Sequence, residues 1–215
     1  MAKENTPGRP YGGLSLAERK TQRKEQFLQA GLNIFGTTGY RDATVRSLCK
    51  EAQLTDRYFY ESFGSLEKLL TSVYEHCMNK LGNTVLLAIS TEFNNTNAIN
   101  AMRAGLDAYF LLLEDERIAR VCMVELEGIS PEINEHYYRY IDGFAQLLIG
   151  LCQRAYPKWQ LNRKEQEILA ISMVGAMRQV ATHWHRTNYA DDRATMVSAT
   201  HKLFLSMMNL VESDA

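Results

Sequence analysis

Arg46, Arg57, Tyr58 and Tyr60 can all grip a polyanion, and they fall together in TVRSLCKEAQLTDRYFYESF, residues Thr44 to Phe63. An arginine carries a planar fork of N–H donors that matches the O6 and N7 edge of guanine. Tyrosine and threonine hydroxyls reach phosphate oxygens, which position a protein without reading sequence. Thr55 and Asp56 stand beside Arg57, and Thr44 opens the stretch. Such groups are useful only if a rigid element presents them on one face.

The spacing supplies that element. Val45, Leu48, Cys49 and Ala52 make one apolar face of a short helix that Thr44 can cap. Gln53 and Leu54 make a turn, Thr55 can cap a second helix, and Phe59 and Phe63, at i and i+4, pack back on the first. Asp56, Arg57, Tyr58 and Tyr60 are then expected to look outward. Two helices this short bury little by themselves, so they must lean on neighbours. A helix-turn-helix is the economical reading, and a plain helical hairpin with a solvated polar face is the alternative.

The segment FGTTGYRDATVRSLCKEAQLTDRYFYESFGSLEKLL resembles the N-terminal DNA-binding domain of the TetR family of bacterial repressors. The resemblance rests on Phe35, Gly39-Tyr40, Thr44-Val45-Arg46, Ala52-Leu54, Phe59-Tyr60-Phe63 and Leu69-Leu70. It covers roughly residues 20 to 75. The family usually has Gly where Gln53 stands, which predicts a non-glycine residue at positive φ here. It often has Lys two residues before Lys68, where this chain has Leu66, so Lys68 is the remaining candidate for that phosphate contact. The resemblance implies an operator-binding head, with Arg46, Thr55, Asp56, Arg57 and Tyr58 in the major groove and Tyr60, Lys68 and Thr44 near the backbone. It also implies a homodimeric body that takes a small effector.

Composition sets the outer bounds. The 215 residues are 46% hydrophobic and 23% charged, as in an ordinary globular protein, with a net charge of −1. That charge is unevenly placed: eleven Lys/Arg stand against eight Asp/Glu up to Leu70, and thirteen against seventeen after it. A basic head on an acidic body suits a head that meets a polyanion. No run of about 18 apolar residues occurs and the N-terminus is polar, so no membrane partner and a cytoplasmic location are expected. Cys49, Cys77, Cys122 and Cys152 have no C-x-x-C spacing and read as reduced core residues, with redox sensing as the lesser alternative.

No segment reads as a strand, and the expected fold class is all-α with about nine helices. Residues 1-16, with Pro7-Gly8-Arg9-Pro10 and Gly12-Gly13, form a flexible arm: either a plain tail, or one whose Arg9 slips into a minor groove. Residues 17-64 form the helix-turn-helix domain, opening with a helix from Glu18 to Phe35 whose Arg19, Lys20, Arg23 and Lys24 are a solvated face or a backbone clamp. Residues 65-215 form the ligand-binding and dimerisation body. Its helices run from about Leu66 to Thr91, Ala98 to Leu113, Asp115 to Glu127, Pro131 to Arg154, Asn162 to Arg186 and Asp191 to Val211. The helix from Leu66 joins head to body.

Catalytic and cofactor fingerprints are missing, so neither an enzyme nor a cofactor is expected. His183 and His185 point about 200° apart on a helix and cannot share a metal. The body is rich in soft and aromatic side chains at helical spacing: Tyr109, Phe110, Met123, Tyr137, Ile141, Phe144, Leu148, Met173, Met177 and Trp184. Singly, each is a core residue; together, they can line a pocket for an apolar effector. Glu125, Glu127, Arg178 and His183 are the candidate polar anchors. The last two helices, with Ile168, Ile171, Gly175 and Leu203, are the candidate homodimer face. The reading is a ligand-responsive DNA-binding regulator, a repressor on a palindromic operator. A helical lipid-binding protein without DNA binding is the alternative, and an enzyme without a recognisable motif is weaker still.

Overall fold

The computed structural model describes residues 15–126, 128–155 and 161–213. Among them are nine α-helices and no strand. The arm with Arg9, and also Glu127 and Pro157, lie outside the described residues.

α1 (Leu16–Thr37) starts on a reciprocal cap, in which the Glu18 N–H donates to Ser15 Oγ and the Ser15 N–H to Glu18 Oε2. Its buried face is Phe27, Ala30, Gly31, Leu32, Phe35 and Gly36. Gly31 lets α4 (Leu66–Asn95) cross closely, since a Cβ there would come within 2.7 Å of Val73 Cγ2. α2 (Val45–Ala52) is capped by Thr44 and ends at Gln53, which takes the left-handed conformation (φ 54, ψ 38) that the missing glycine predicts. α3 (Asp56–Ser62) lacks the expected cap. Thr55 makes no side-chain capping hydrogen bond, and Asp56 Oδ1 accepts the Arg57 N–H at 2.8 Å instead. Phe59 and Phe63 meet Phe27 edge-on, with ring centroids at 5.6 and 6.2 Å, locking α3 to α1.

α4 begins at its Ser65 cap and runs past the expected Thr91, because the polar Asn residues continue the helix to Asn95 before Asn97 caps α5 (Ala98–Leu113). α4 and α5 pack along one another, and Gly105 allows the contact: a Cβ there would lie 2.7 Å from Ile89 Cγ1. α6 (Glu116–Met123) stops well short of Glu127. The reason is Glu125, whose carboxylate is drawn across to the head, and Gly128 (φ 82) turns the chain beyond it. α7 (Pro131–Ala155) starts with proline in its first turn and Ser130 Oγ accepting the Ile133 N–H. α8 (Arg163–Arg186) has the Asn162/Glu165 capping box. α9 (Arg193–Ser213) is capped by Asp192, one residue later than expected, because the Asp191 carbonyl is taken by Trp184 Nε1.

Candidate functional site

On the head, Thr44, Arg46, Thr55, Asp56, Arg57 and Tyr60 are exposed around α2 and α3, and Lys68 is exposed in the first turn of α4. Tyr60 leaves 58% of its surface open although it neighbours the buried Phe59. Arg57 is held along the helix by Glu61, Nε to Oε1 at 2.8 Å, on a solvent-exposed face where such a pair is weak and its fork can be redirected. Tyr58 does not join the outward group. It is half-buried, with the Arg23 guanidinium 4.3 Å above its ring, and Lys24 similarly lies 5.9 Å from the Phe63 ring. Two of the four basic residues at the start of α1 therefore cover α3's aromatics as well as adding charge to that side.

The head meets the body through α6 as well as through α4, the link to which the sequence pointed. Gly36 lies so close to α6 that an added Cβ would sit 2.4 Å from Arg117 Cβ. Arg117 forks onto Asp115 (Nε to Oδ1 2.9 Å, Nη2 to Oδ2 2.7 Å) and sends Nη1 to Asn33 Oδ1 at 2.7 Å. That fork holds the Asp115 carboxyl below the usual carboxylate range. Arg120 donates to the Thr37 and Thr38 carbonyls, open acceptors at the negative end of α1. Its Nε pairs with Glu125 Oε1 at 2.6 Å, and Glu125 Oε2 accepts the Tyr40 N–H at 2.8 Å. Glu125 is thus a junction residue and not a pocket anchor, while His183 is exposed.

Within the body, one apolar cavity runs beside α4, walled there by Tyr74, Met78, Leu81, Val85, Ile89 and Phe93. At about 1.5 Å per residue, that face spans roughly 28 Å. The space inside it that the centres of water-sized spheres can occupy is about 90 Å³. Tyr109, Met123, Tyr137, Ile141, Phe144 and Met177 line it, with Leu148 beside them. Phe110, Met173 and Trp184 are not on its wall. Phe110 stacks edge-on with Trp184 at 5.7 Å, and Trp184 with Tyr189 at 4.7 Å, a ladder that ties the end of α8 to α5. The phenol of Tyr189 completes it by donating to the Leu113 carbonyl at 2.9 Å. Met173 is fully packed.

Arg178 is the one charged side chain on the cavity wall among the described residues. Its Nη2 donates to the Met123 carbonyl at 3.1 Å and its guanidinium lies 5.1 Å from the Tyr137 ring centroid. Tyr109 Oη reaches Met123 Sδ at 3.9 Å, and burial pushes the phenols of Tyr74 and Tyr109 well above their ordinary range, so they stay neutral. Cys122 also lines the cavity; it is a free thiol pushed up by its hydrogen bond with Cys77 and by burial. α6 thus puts Cys122 and Met123 on the cavity and Arg117 and Arg120 on the head. This arrangement was not legible in the sequence alone, though Arg117 and Arg120 at i and i+3, with Cys122 on the opposite side, carry a signal for a helix with two working faces.

Residues 27–73 match the family model described as bacterial regulatory proteins, tetR family. No curated protein sequence matches the chain. Among solved structures it is similar to the fatty acid degradation regulator FadR of Bacillus halodurans, at 22% identity and TM-score 0.72, with 85% of this chain and 94% of that one covered. FadR of Bacillus subtilis, solved in complex with stearoyl-CoA, superposes with TM-score 0.70 at 20% identity, over 83% of this chain and 96% of that one. A TetR-like transcriptional regulator of Rhodococcus sp. RHA1 gives TM-score 0.67 at 15% identity, over 88% and 95%.

Proposed function

We propose, on the premise that the chain is a transcription regulator whose head belongs to the TetR family, that it is a ligand-responsive repressor. In this reading a homodimer holds a palindromic operator and releases it when a long apolar effector fills the cavity beside α4. The observation that carries the reading is α6, an eight-residue helix with the cavity on one face and the anchor of the head on the other. A ligand that shifts α6 cannot leave the head where it was.

Residues 17-64 serve as the reader and 65-215 as the body. Arg46 and Arg57 take base edges, Thr55 and Asp56 flank them, and Thr44, Tyr60 and Lys68 take phosphates. Tyr58 acts by supporting Arg23. The dimer forms through α8 and α9, where Ile168 is 65% exposed, Ile171 and Leu203 are 43% exposed, and nothing lies within 4 Å of a Cβ on Gly175. Two helices from each subunit would make a four-helix bundle that sets the heads about 34 Å apart, one turn of the duplex.

The wall chemistry favours a long hydrocarbon chain, and the stearoyl-CoA held by the Bacillus subtilis neighbour supports that class of effector. Driving the ratio of two states from 1:99 to 99:1 requires about 5.5 kcal/mol of differential binding. At about 0.8 kcal/mol per buried CH₂ that equals roughly seven methylenes buried in the released state alone, shared between two sites. The test is fluorescence anisotropy on a duplex selected from random sequence by the full chain. Binding should weaken steeply with salt and collapse on adding octadecanoic acid or octadecanoyl-CoA. Salt-insensitive binding, or binding indifferent to both ligands, would contradict the proposal.

A further inference from the structure

The inward stripe of α7 ends in a cation. Tyr137, Ile141, Phe144, Leu148 and Leu151 line the cavity at steps of three and four residues, and the next step on that stripe is Arg154. Its guanidinium lies 4.9 Å from the ring centroid of Phe93, the last cavity residue on α4. Arg154 is exposed, and among the described residues no carboxylate pairs with it. Glu92, the neighbour of Phe93, instead accepts from the Thr96 hydroxyl at 2.9 Å. The two ends of the cavity also differ. Tyr140 meets Tyr74 near the start of α4 and Arg154 meets Phe93 near its end, so α4 and α7 run alongside in the same direction. At the α6 end Tyr74, Tyr109, Cys122, Met123 and Tyr137 are all buried, whereas Phe93, Ala98, Met102, Leu148 and Leu151 at the far end are half-buried. The far end is the mouth, and Arg154 stands at it.

We infer that the effector enters tail first and leaves an anionic head at this mouth, a carboxylate or a phosphate held by the Arg154 guanidinium over the Phe93 ring. This rests on the reading of the cavity as the effector site. A charge taken deep between hydrocarbon walls is costly unless a cation meets it there. The one charged wall residue among those described, Arg178, is already committed at the closed end, to the Met123 carbonyl and the Tyr137 ring. At the mouth an anion keeps part of its water, and a planar guanidinium offers it two parallel bonds. The Phe93 ring beneath holds that guanidinium in place without using its N–H donors. The hydrocarbon tail then ends among Tyr74, Tyr109 and Met123, against the helix that grips the head.

The experiment uses the full-length protein with carbon-13 methionine methyls, and octadecanoic acids that carry a nitroxide at carbon 5 or at carbon 16. The carbon-16 label should broaden Met78 and Met123 most, and the carbon-5 label should broaden Met102 most. The opposite order would overturn the inference and leave the cavity's role standing. Broadening of none of the three methyls by either label would overturn the cavity's role itself. Calorimetric titration at low salt should show octadecanoic acid or octadecyl phosphate bound about two- to fivefold tighter than octadecan-1-ol, the scale of a solvent-exposed ion pair. The tighter of the two anions names the head. The margin should vanish in molar salt, which screens such a pair. Arg154→Glu should reverse the margin, and Arg154→Lys, which keeps the charge without the fork, should retain part of it. Equal affinity of the wild type for all three probes would overturn the role of Arg154, and the wild-type titrations decide this whether or not either variant folds.

Discussion

Replacing Gly36 by alanine tests the mechanical joint between head and body. A Cβ at this position would sit 2.4 Å from Arg117 Cβ, 2.6 Å from its Cα and 3.0 Å from its carbonyl oxygen, where ordinary contact begins at 3.4 Å. Two of those neighbours are backbone atoms that cannot rotate aside, so α1 and α6 must part by about 1 Å. That separation would stretch Tyr40 N to Glu125 Oε2, now 2.8 Å, and Arg117 Nη1 to Asn33 Oδ1, now 2.7 Å, beyond useful hydrogen-bond length. Overpacking costs about 1–3 kcal/mol. Alanine's better helix propensity returns about 1 kcal/mol, leaving a net loss of up to about 2 kcal/mol. Urea unfolding measures the loss, and amide exchange at Tyr40 locates it. Gly143→Ala is the control: it lies inside α7 with nothing within 4 Å of an added Cβ, and should stabilise by about 0.5–1 kcal/mol. A Gly36→Ala protein that is as stable as the wild type and equally protected at Tyr40 would refute the joint.

On the selected duplex, Arg46→Ala or Arg57→Ala should each cost about 1–3 kcal/mol and relax preference at one base step, whereas Tyr60→Phe should weaken all sequences alike. Gly175→Trp should convert a dimer to a monomer in sedimentation at micromolar concentration; an unchanged mass would move the dimer face elsewhere. Burial depresses the pKa of His185 below its ordinary 6.5, so the unfolded chain takes up the proton more readily than the folded one. Its contribution is therefore full above pH 6.5 and is lost as pH falls through that value toward the folded pKa, and His185→Gln should flatten this part of the stability profile in urea unfolding.

The elements were legible because their punctuation is local. Thr44, Ser65, Asn162 and Glu165, and the Pro131 start each signal a helix end through groups three or four residues away. Gln53 at positive φ followed from one missing glycine. Local signals failed where a distant contact decides: α6 ends early because Glu125 reaches Tyr40, 85 positions away in sequence. The cavity was half legible for the same reason. Helical spacing marks Tyr109, Tyr137 and Phe144 as inward, but it cannot separate them from Phe110 and Trp184, which face one another in a solid ladder. Arg23 and Arg120 show the limit for charged residues, since what each covers or caps depends on how helices cross.

Reciprocity between the cavity and the head offers the most direct measurement of the central claim. If the effector favours a head spacing that misfits DNA, operator must weaken effector binding by the same factor as effector weakens operator binding. Calorimetric titration of octadecanoic acid into the full-length protein, alone and saturated with the selected duplex, supplies one factor, and duplex titration with and without the acid supplies the other. The account predicts two equal factors, each well above one, that fall together in Gly36→Ala. Identical acid affinities with and without the duplex would contradict it.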